Sequence, residues 1–140
     1  MDENASDIRI LMARLICWSL VAFDTLLGGL SMLSPGLVTK LFSPGAEPEG
    51  TPLMRRTAAI WLFFIPVQVW AAVKTGNPNA LRAVAILRLQ EVPADPVWLA
   101  SGKEFGRFGK FGLVFAPVFN LVAGLYLWMT ARDLEKQNGS

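Results

Sequence analysis

Residues 15–33, LICWSLVAFDTLLGGLSML, decide the fold. They form a run of nineteen residues carrying one charge, Asp24. At about 1.5 Å per helical residue, such a run reaches roughly 28 Å, the thickness of a bilayer's hydrocarbon layer. Two further runs have the same character. Residues 57–73 contain Gln68 as their one strongly polar member, and residues 111–129 contain Asn120 in that place. Trp18, Trp61, Trp70, Tyr126 and Trp128 lie near the ends of these runs, where amphipathic rings prefer the membrane–water interface. The composition agrees with a bilayer as solvent. Of 140 residues, 53% are hydrophobic and 17% charged, whereas a soluble domain carries about 25% charged residues. The mean hydropathy is +0.42.

The same arithmetic excludes several classes. Intrinsic disorder needs low hydrophobicity and high net charge, and the net charge here is +2. The basic residues are spread evenly along the chain and make no nucleic-acid patch. The sequence holds no histidine, which removes the commonest metal ligand and the commonest acid–base catalyst. One cysteine, Cys17, permits no internal disulfide and no Cys-x-x-Cys pair; beside Trp18 it reads as a small packing residue. A Gly-rich phosphate loop, a metal-ligand cluster and a nucleophile triad are all missing from the pattern. No catalytic residue and no metal site is assigned.

Between the second and third strong runs, residues 79–92 read NALRAVAILRLQEV, a good helix former that is too short and too charged for an isolated span. Continued through Pro93 and Pro96 to Leu99 it is long enough to cross, as a broken helix. The competing reading is three spans plus a surface helix. Pairs of a capping side chain and a proline, at Ser34-Pro35, Thr51-Pro52, Asn77-Pro78 and Asp95-Pro96, mark helix starts. Ser101 with Glu104 has capping-box spacing. These signals predict helices near 7–33, 35–42, 52–74, 78–92, 96–101 and 103–134. The segment 35–42 places Leu37, Val38, Leu41 and Phe42 on one side, as an interfacial helix does. Pro66 and Pro117, each in mid-span, predict kinks. The expected architecture is an all-α integral membrane bundle of four transmembrane helices, the third short or interrupted, with a short interfacial helix after the first. Residues 1–140 form a single transmembrane helical domain with no internal repeat.

The beginning, MDENASD, is acidic and lacks a small-residue cleavage site after its apolar run, so the first span is expected to be retained. Basic residues do not orient the bundle. With four spans, Arg9, Arg14, Lys74, Arg82, Arg132 and Lys136 lie at one end and Lys40, Arg55, Arg56, Lys103, Arg107 and Lys110 at the other.

Asp24 is tenth of nineteen in its run and falls near the membrane midplane. A charge there costs about 2.5–3.5 kcal/mol even on the lenient insertion scale, so it faces a partner or a wet cavity. Three roles compete: a proton-handling or ligand-contacting carboxylate, a structural ion pair, and a protonated acid bonded to a neighbouring helix. Arg88 lies at comparable depth in the interrupted span, with Glu91 on nearly the same helical face. An Asp24–Arg88 pair between the first and third spans is therefore expected. Asp24, Arg88, Glu91, Gln68 and Asn120 are the buried polar candidates.

The last helix carries two adjacent stripes. Phe105, Phe108, Phe111, Phe115 and Phe119 follow helical spacing. Beside them, Gly106, Gly109, Gly112, Ala116, Asn120 and Gly124 form a ridge of small residues that lets helices approach closely in lipid. Phe108, Phe111, Phe115, Phe119, Gly112, Ala116 and Gly124 are thus candidates for helix packing, internal or against another protein. The alternative is a groove for a lipophile such as a quinone, carotenoid or tetrapyrrole. The PADP break at 93–96 reads either as a helix end with a capped turn or as unpaired backbone lining a binding site.

Arg14-Leu15, Gly28-Gly29, Pro35, Arg55-Arg56 and Arg82-Ala83 together resemble the DoxX-like group of small four-helix membrane proteins. The likeness covers roughly residues 14–128; within that range the PADP break and the double stripe match none of its motifs. Members share architecture more than activity, and some are associated with quinone-linked oxidoreductase complexes. The resemblance implies an accessory membrane subunit.

The expected function is a non-catalytic accessory or scaffold subunit of a larger respiratory or photosynthetic membrane complex. One alternative is a binder of a quinone, carotenoid or tetrapyrrole in a DoxX-like oxidoreductase assembly. Another is a small carrier or acid–base membrane enzyme centred on Asp24, with Glu91 as the second carboxylate. The expected partners are membrane lipids and other membrane-protein subunits or a second copy, not nucleic acid. Any cofactor would be a bound lipid, quinone or pigment, and the expected location is the bacterial inner (cytoplasmic) membrane.

Overall fold

A computed structural model describes residues 3–45, 51–101 and 105–138, and the regular elements among them are all helical. In chain order they are α1 (Glu3–Leu33), α2 (Pro35–Phe42), α3 (Thr51–Val73), α4 (Pro78–Glu91), α5 (Ala94–Ser101) and α6 (Arg107–Asn138). Among the described residues, α1, α3 and α6 are the three helices long and apolar enough to cross a membrane. At 14 residues, α4 extends roughly 21 Å and falls short of a bilayer core of about 30 Å.

The bundle consists of two antiparallel helix pairs. The most extensive packing joins α1 to α3 and α4 to α6. Close approach in the first pair occurs at Gly28, where a β-carbon would lie 3.1 Å from the Leu62 side chain and 3.3 Å from the Ala58 carbonyl. In the second pair it occurs at Gly124, where a β-carbon would meet Leu89 at 2.7 Å. A continuous inward stripe on α1 runs through Ala13, Cys17, Leu20, Asp24, Gly28 and Ser31, all buried at helical spacing. The core at the chain-terminus end is built from Cys17, Leu20, Leu81, Val84 and Leu127. Outward, α6 shows Phe111, Val114, Phe115, Val118 and Val122, all exposed. Exposed apolar side chains of this kind need an apolar surrounding.

Local chemistry fixes the boundaries. Asn77 caps α4 as expected, its side chain accepting from the Asn79 and Ala80 amides at 2.9 and 3.4 Å. Ser34 does not cap α2 with its side chain; its carbonyl accepts from the Leu37 and Val38 amides instead. Asp95 is not the cap of α5 but lies in its first turn, because the Pro93 carbonyl accepts the Val97 amide at 3.4 Å. The last helix starts at Arg107 rather than at 103. The Gly106 amide donates to the Phe42 carbonyl at 2.9 Å, and the Gly109 backbone lies directly against that carbonyl. Docking of the α2 C-terminus thus uses backbone that a helix from 103 would have consumed. The Ser101–Glu104 box lies outside the residues whose side chains are described. Both α3 and α6 run unbroken through Pro66 and Pro117.

Three contacts fix the direction of each helix. Arg14 donates to Thr75 at 3.3 Å, and Arg9 at the start of α1 is ion-paired to Asp133 near the end of α6. Gly106 is bonded to Phe42 at the opposite end. The chain therefore travels from Thr75 at one end of the bundle to Gly106 at the other, over the stretch that holds α4 and α5.

Candidate functional site

Each helix pair contributes inward-facing polar groups at one level. Asp24 belongs to the α1 stripe. Gln68 is fully buried on α3, one helical turn before Ala71 and Ala72. Arg88 follows Leu81 and Val84 on the buried face of α4. Asn120 lies between Leu113 and Leu127 on the buried face of α6. Spacing of three and four residues puts each on the core face of its helix.

The structure brings all five sequence candidates into one network. Arg88 Nη2 is ion-paired to Asp24 Oδ2, and both side chains are 2% exposed. Gln68 Nε2 donates to the same Asp24 oxygen at 2.7 Å. The second arm of the guanidinium, Nη1, donates to Glu91 Oε2 at 2.7 Å. Asn120 Nδ2 donates to that Glu91 oxygen at 3.4 Å, and Trp61 stands on the same cavity wall as Glu91. Arg88 faces the Phe64 ring, with Cζ 5.5 Å from its centroid. Arg88 is the largest fully buried side chain described, and it reaches from α4 to α1, whose backbones make few direct contacts. Among the described residues, Gln68 Oε1 and Arg88 Nε have no hydrogen-bond partner, and an unmet buried group costs about 1–3 kcal/mol.

The two carboxylates differ in surroundings. Asp24 is enclosed by Arg88 and Gln68. Glu91 is 18% exposed and borders a cavity of about 290 Å³ between α3 and the α4–α5 junction. Trp61, Phe64 and Trp98 wall this cavity, and Asp95 stands on it with Glu91. Trp98 is braced edge-to-face on Phe105, with centroids 5.9 Å apart. Trp61, Asp95 and Trp98 were not anticipated as site residues. The signal was present in the spacing: Glu91, Asp95 and Trp98 lie at i, i+4 and i+7, which share a face if the helix is followed across Pro93.

The two stripes of α6 separate in their roles. Gly109 and Gly112 pack on Phe42, and Gly124 packs on Leu89 and the Ala85 carbonyl, so this ridge serves internal packing. Ala116 on the same ridge is half-buried. Phe108 meets Phe42 edge-to-face at 5.2 Å yet stays 58% exposed. Phe111, Phe115 and Phe119 stack in succession at 5.8 and 5.9 Å, and Phe119 turns inward against the core. Among the described residues, no group of three or more His, Cys, Asp or Glu side chains is disposed to hold a metal ion. Comparison with protein families, curated proteins and solved structures finds no match to this chain.

Proposed function

We propose that the chain is an integral membrane protein of four crossings that serves as a non-catalytic accessory subunit and holds a lipophilic small molecule beside Glu91. The crossings are α1, α3, the broken α4–α5 segment and α6, with α2 lying at the interface. Support for the fourth crossing comes from the placement of Thr75 and Gly106 at opposite ends of the bundle. Broken helices are tolerated at membrane depth where they line a cavity, and the α4–α5 break lines this one.

The observation that carries the binding role is the cavity itself, a half-open recess lined by three aromatic rings and reached by Glu91 but not by Asp24. Largely apolar pockets with a few convergent polar groups are the usual form of small-molecule sites. Asp24 has no such access, and its partners are those of a structural ion pair; the reading of a carrier or enzyme centred on it loses support. The accessory role follows the DoxX-like expectation, in a respiratory or photosynthetic complex of the bacterial inner membrane. The exposed, stacked Phe111 and Phe115 on α6 favour that face as the contact with larger subunits or with lipid.

Purification in mild detergent followed by native mass spectrometry tests the reading. The expected result is a one-to-one adduct with a small lipophilic molecule that is lost in Trp61→Leu. Recovery of a ligand-free chain from lipid, with Asp24→Asn folding normally but abolishing a transport or enzymatic activity, would favour the carrier or enzyme instead.

A further inference from the structure

We infer that the cavity between α3 and the α4–α5 junction takes a lipophilic organic cation, an aryl or alkyl ammonium, with Glu91 and Asp95 as its counter-charges. This rests on the binding role proposed above and narrows it to one charge class. Around the cavity and its adjoining network stand three carboxylates, Asp24, Glu91 and Asp95, against one guanidinium, Arg88. Arg88 is already shared between Asp24 and Glu91. Asp95 takes part in no ion pair among the described residues. Arg55 and Arg56, at the start of α3, are exposed and pair with neither carboxylate on the cavity. Among the described residues, the site is therefore short of positive charge.

The walls have matching chemistry. Trp61, Phe64 and Trp98 present ring faces and edges to a volume of about 290 Å³. Aromatic rings attract a cation through their quadrupoles, most strongly where water is excluded, and such cages recognise quaternary ammonium groups. One face of Phe64 already receives Arg88, so the ring is used as a cation acceptor within this same network. A neutral quinone would gain from the apolar surface of the rings but not from their attraction for a cation or from a carboxylate charge. A carotenoid or tetrapyrrole is too large for the volume. A monoaromatic or small alkyl ammonium fits both the size and the charge.

The test uses the full-length protein in lipid nanodiscs, with benzyltrimethylammonium and its uncharged isostere neopentylbenzene as probes, followed by calorimetry and tryptophan fluorescence. Saturable binding of the cation is expected, with the isostere weaker by about tenfold or more. Asp95→Asn and Glu91→Gln should each weaken the cation several-fold while leaving the isostere unchanged. Asp95 lies outside the Arg88 network, so its variant reads charge without disturbing the bundle. Equal affinity for both probes would overturn the cation assignment and leave the lipophile reading intact. Cation binding indifferent to both carboxylate variants would place the ligand elsewhere and also overturn it. Failure of the cation, the isostere and a short-chain benzoquinone to bind would remove both readings.

Discussion

Arg88 on α4 is ion-paired to Asp24 on α1, and the pair joins the two antiparallel helix pairs across the centre of the bundle. The two partners have unequal alternatives. Without Arg88, Asp24 would keep only the neutral Gln68 amide, whereas without Asp24, Arg88 would keep Glu91. The interaction is therefore asymmetric, and its loss from the arginine side is the more damaging. Through Gln68, which donates to the same Asp24 oxygen, the pair also ties α3 to α4, the helices that carry Trp61 and Glu91 on the cavity wall.

The path from Thr75 to Gly106 makes a prediction about topology. Reporter fusions at the two termini should lie on the same side of the membrane, because Arg9 near the start of α1 meets Asp133 near the end of α6. Termini on opposite sides would require three crossings and would contradict the four-crossing reading.

Glycine substitutions should separate close approaches from open positions. Gly109→Ala drives a β-carbon into the Phe42 backbone, which cannot retreat without undocking α2. A loss of about 1–3 kcal/mol is expected, the usual cost of overpacking. Gly124→Ala meets the Leu89 side chain at 2.7 Å and a backbone carbonyl, that of Ala85, only at 3.3 Å, and should cost less. A β-carbon at Gly29 meets nothing within 4 Å, so Gly29→Ala should stabilise by about 0.5–1 kcal/mol through helix propensity. Thermal unfolding in lipid or detergent ranks the three.

Ion pairs at the terminus end should matter far less than the central one. Arg9 and Asp133 are 37% and 33% exposed, and Arg82 meets Glu135 at 2.5 Å with similar exposure. Arg9→Gln should cost no more than about 1 kcal/mol, with the difference shrinking as salt is raised. A larger, salt-independent loss would show that this end is more deeply buried than its exposure indicates. Arg82 also lies over the Trp128 ring, 5.4 Å from its centroid, so Arg82→Gln should exceed Arg9→Gln by a fraction of a kcal/mol.

Much of the helical layout was legible because prolines and hydrophobic period carry it locally. Asn77-Pro78 marked the start of α4 by a mechanism that operates within three residues, and Asp24 stood out because a lone charge in an apolar run demands a partner. Its pairing with Arg88 was legible from depth alone. The start of α6 was not legible, since it depends on the Phe42 carbonyl far away in sequence. Nor was the cavity, because Trp61 near the end of an apolar run reads equally well as an interfacial anchor. Only the crossing of α3 with the α4–α5 junction turns its indole toward Glu91. The glycine ridge was visible as a packing surface, but which helix it would meet was decided by the antiparallel pairing of α4 with α6.

The most direct measurement of the central claim, that a buried ion pair holds the two helix pairs together, is a double-mutant cycle on Asp24 and Arg88 by reversible unfolding in lipid. Arg88→Met is expected to cost about 3–5 kcal/mol by leaving Asp24 buried and unpaired, and Asp24→Leu less. The double variant should recover most of the loss, giving a coupling of at least about 2 kcal/mol. Small and additive effects of the two substitutions would contradict the account.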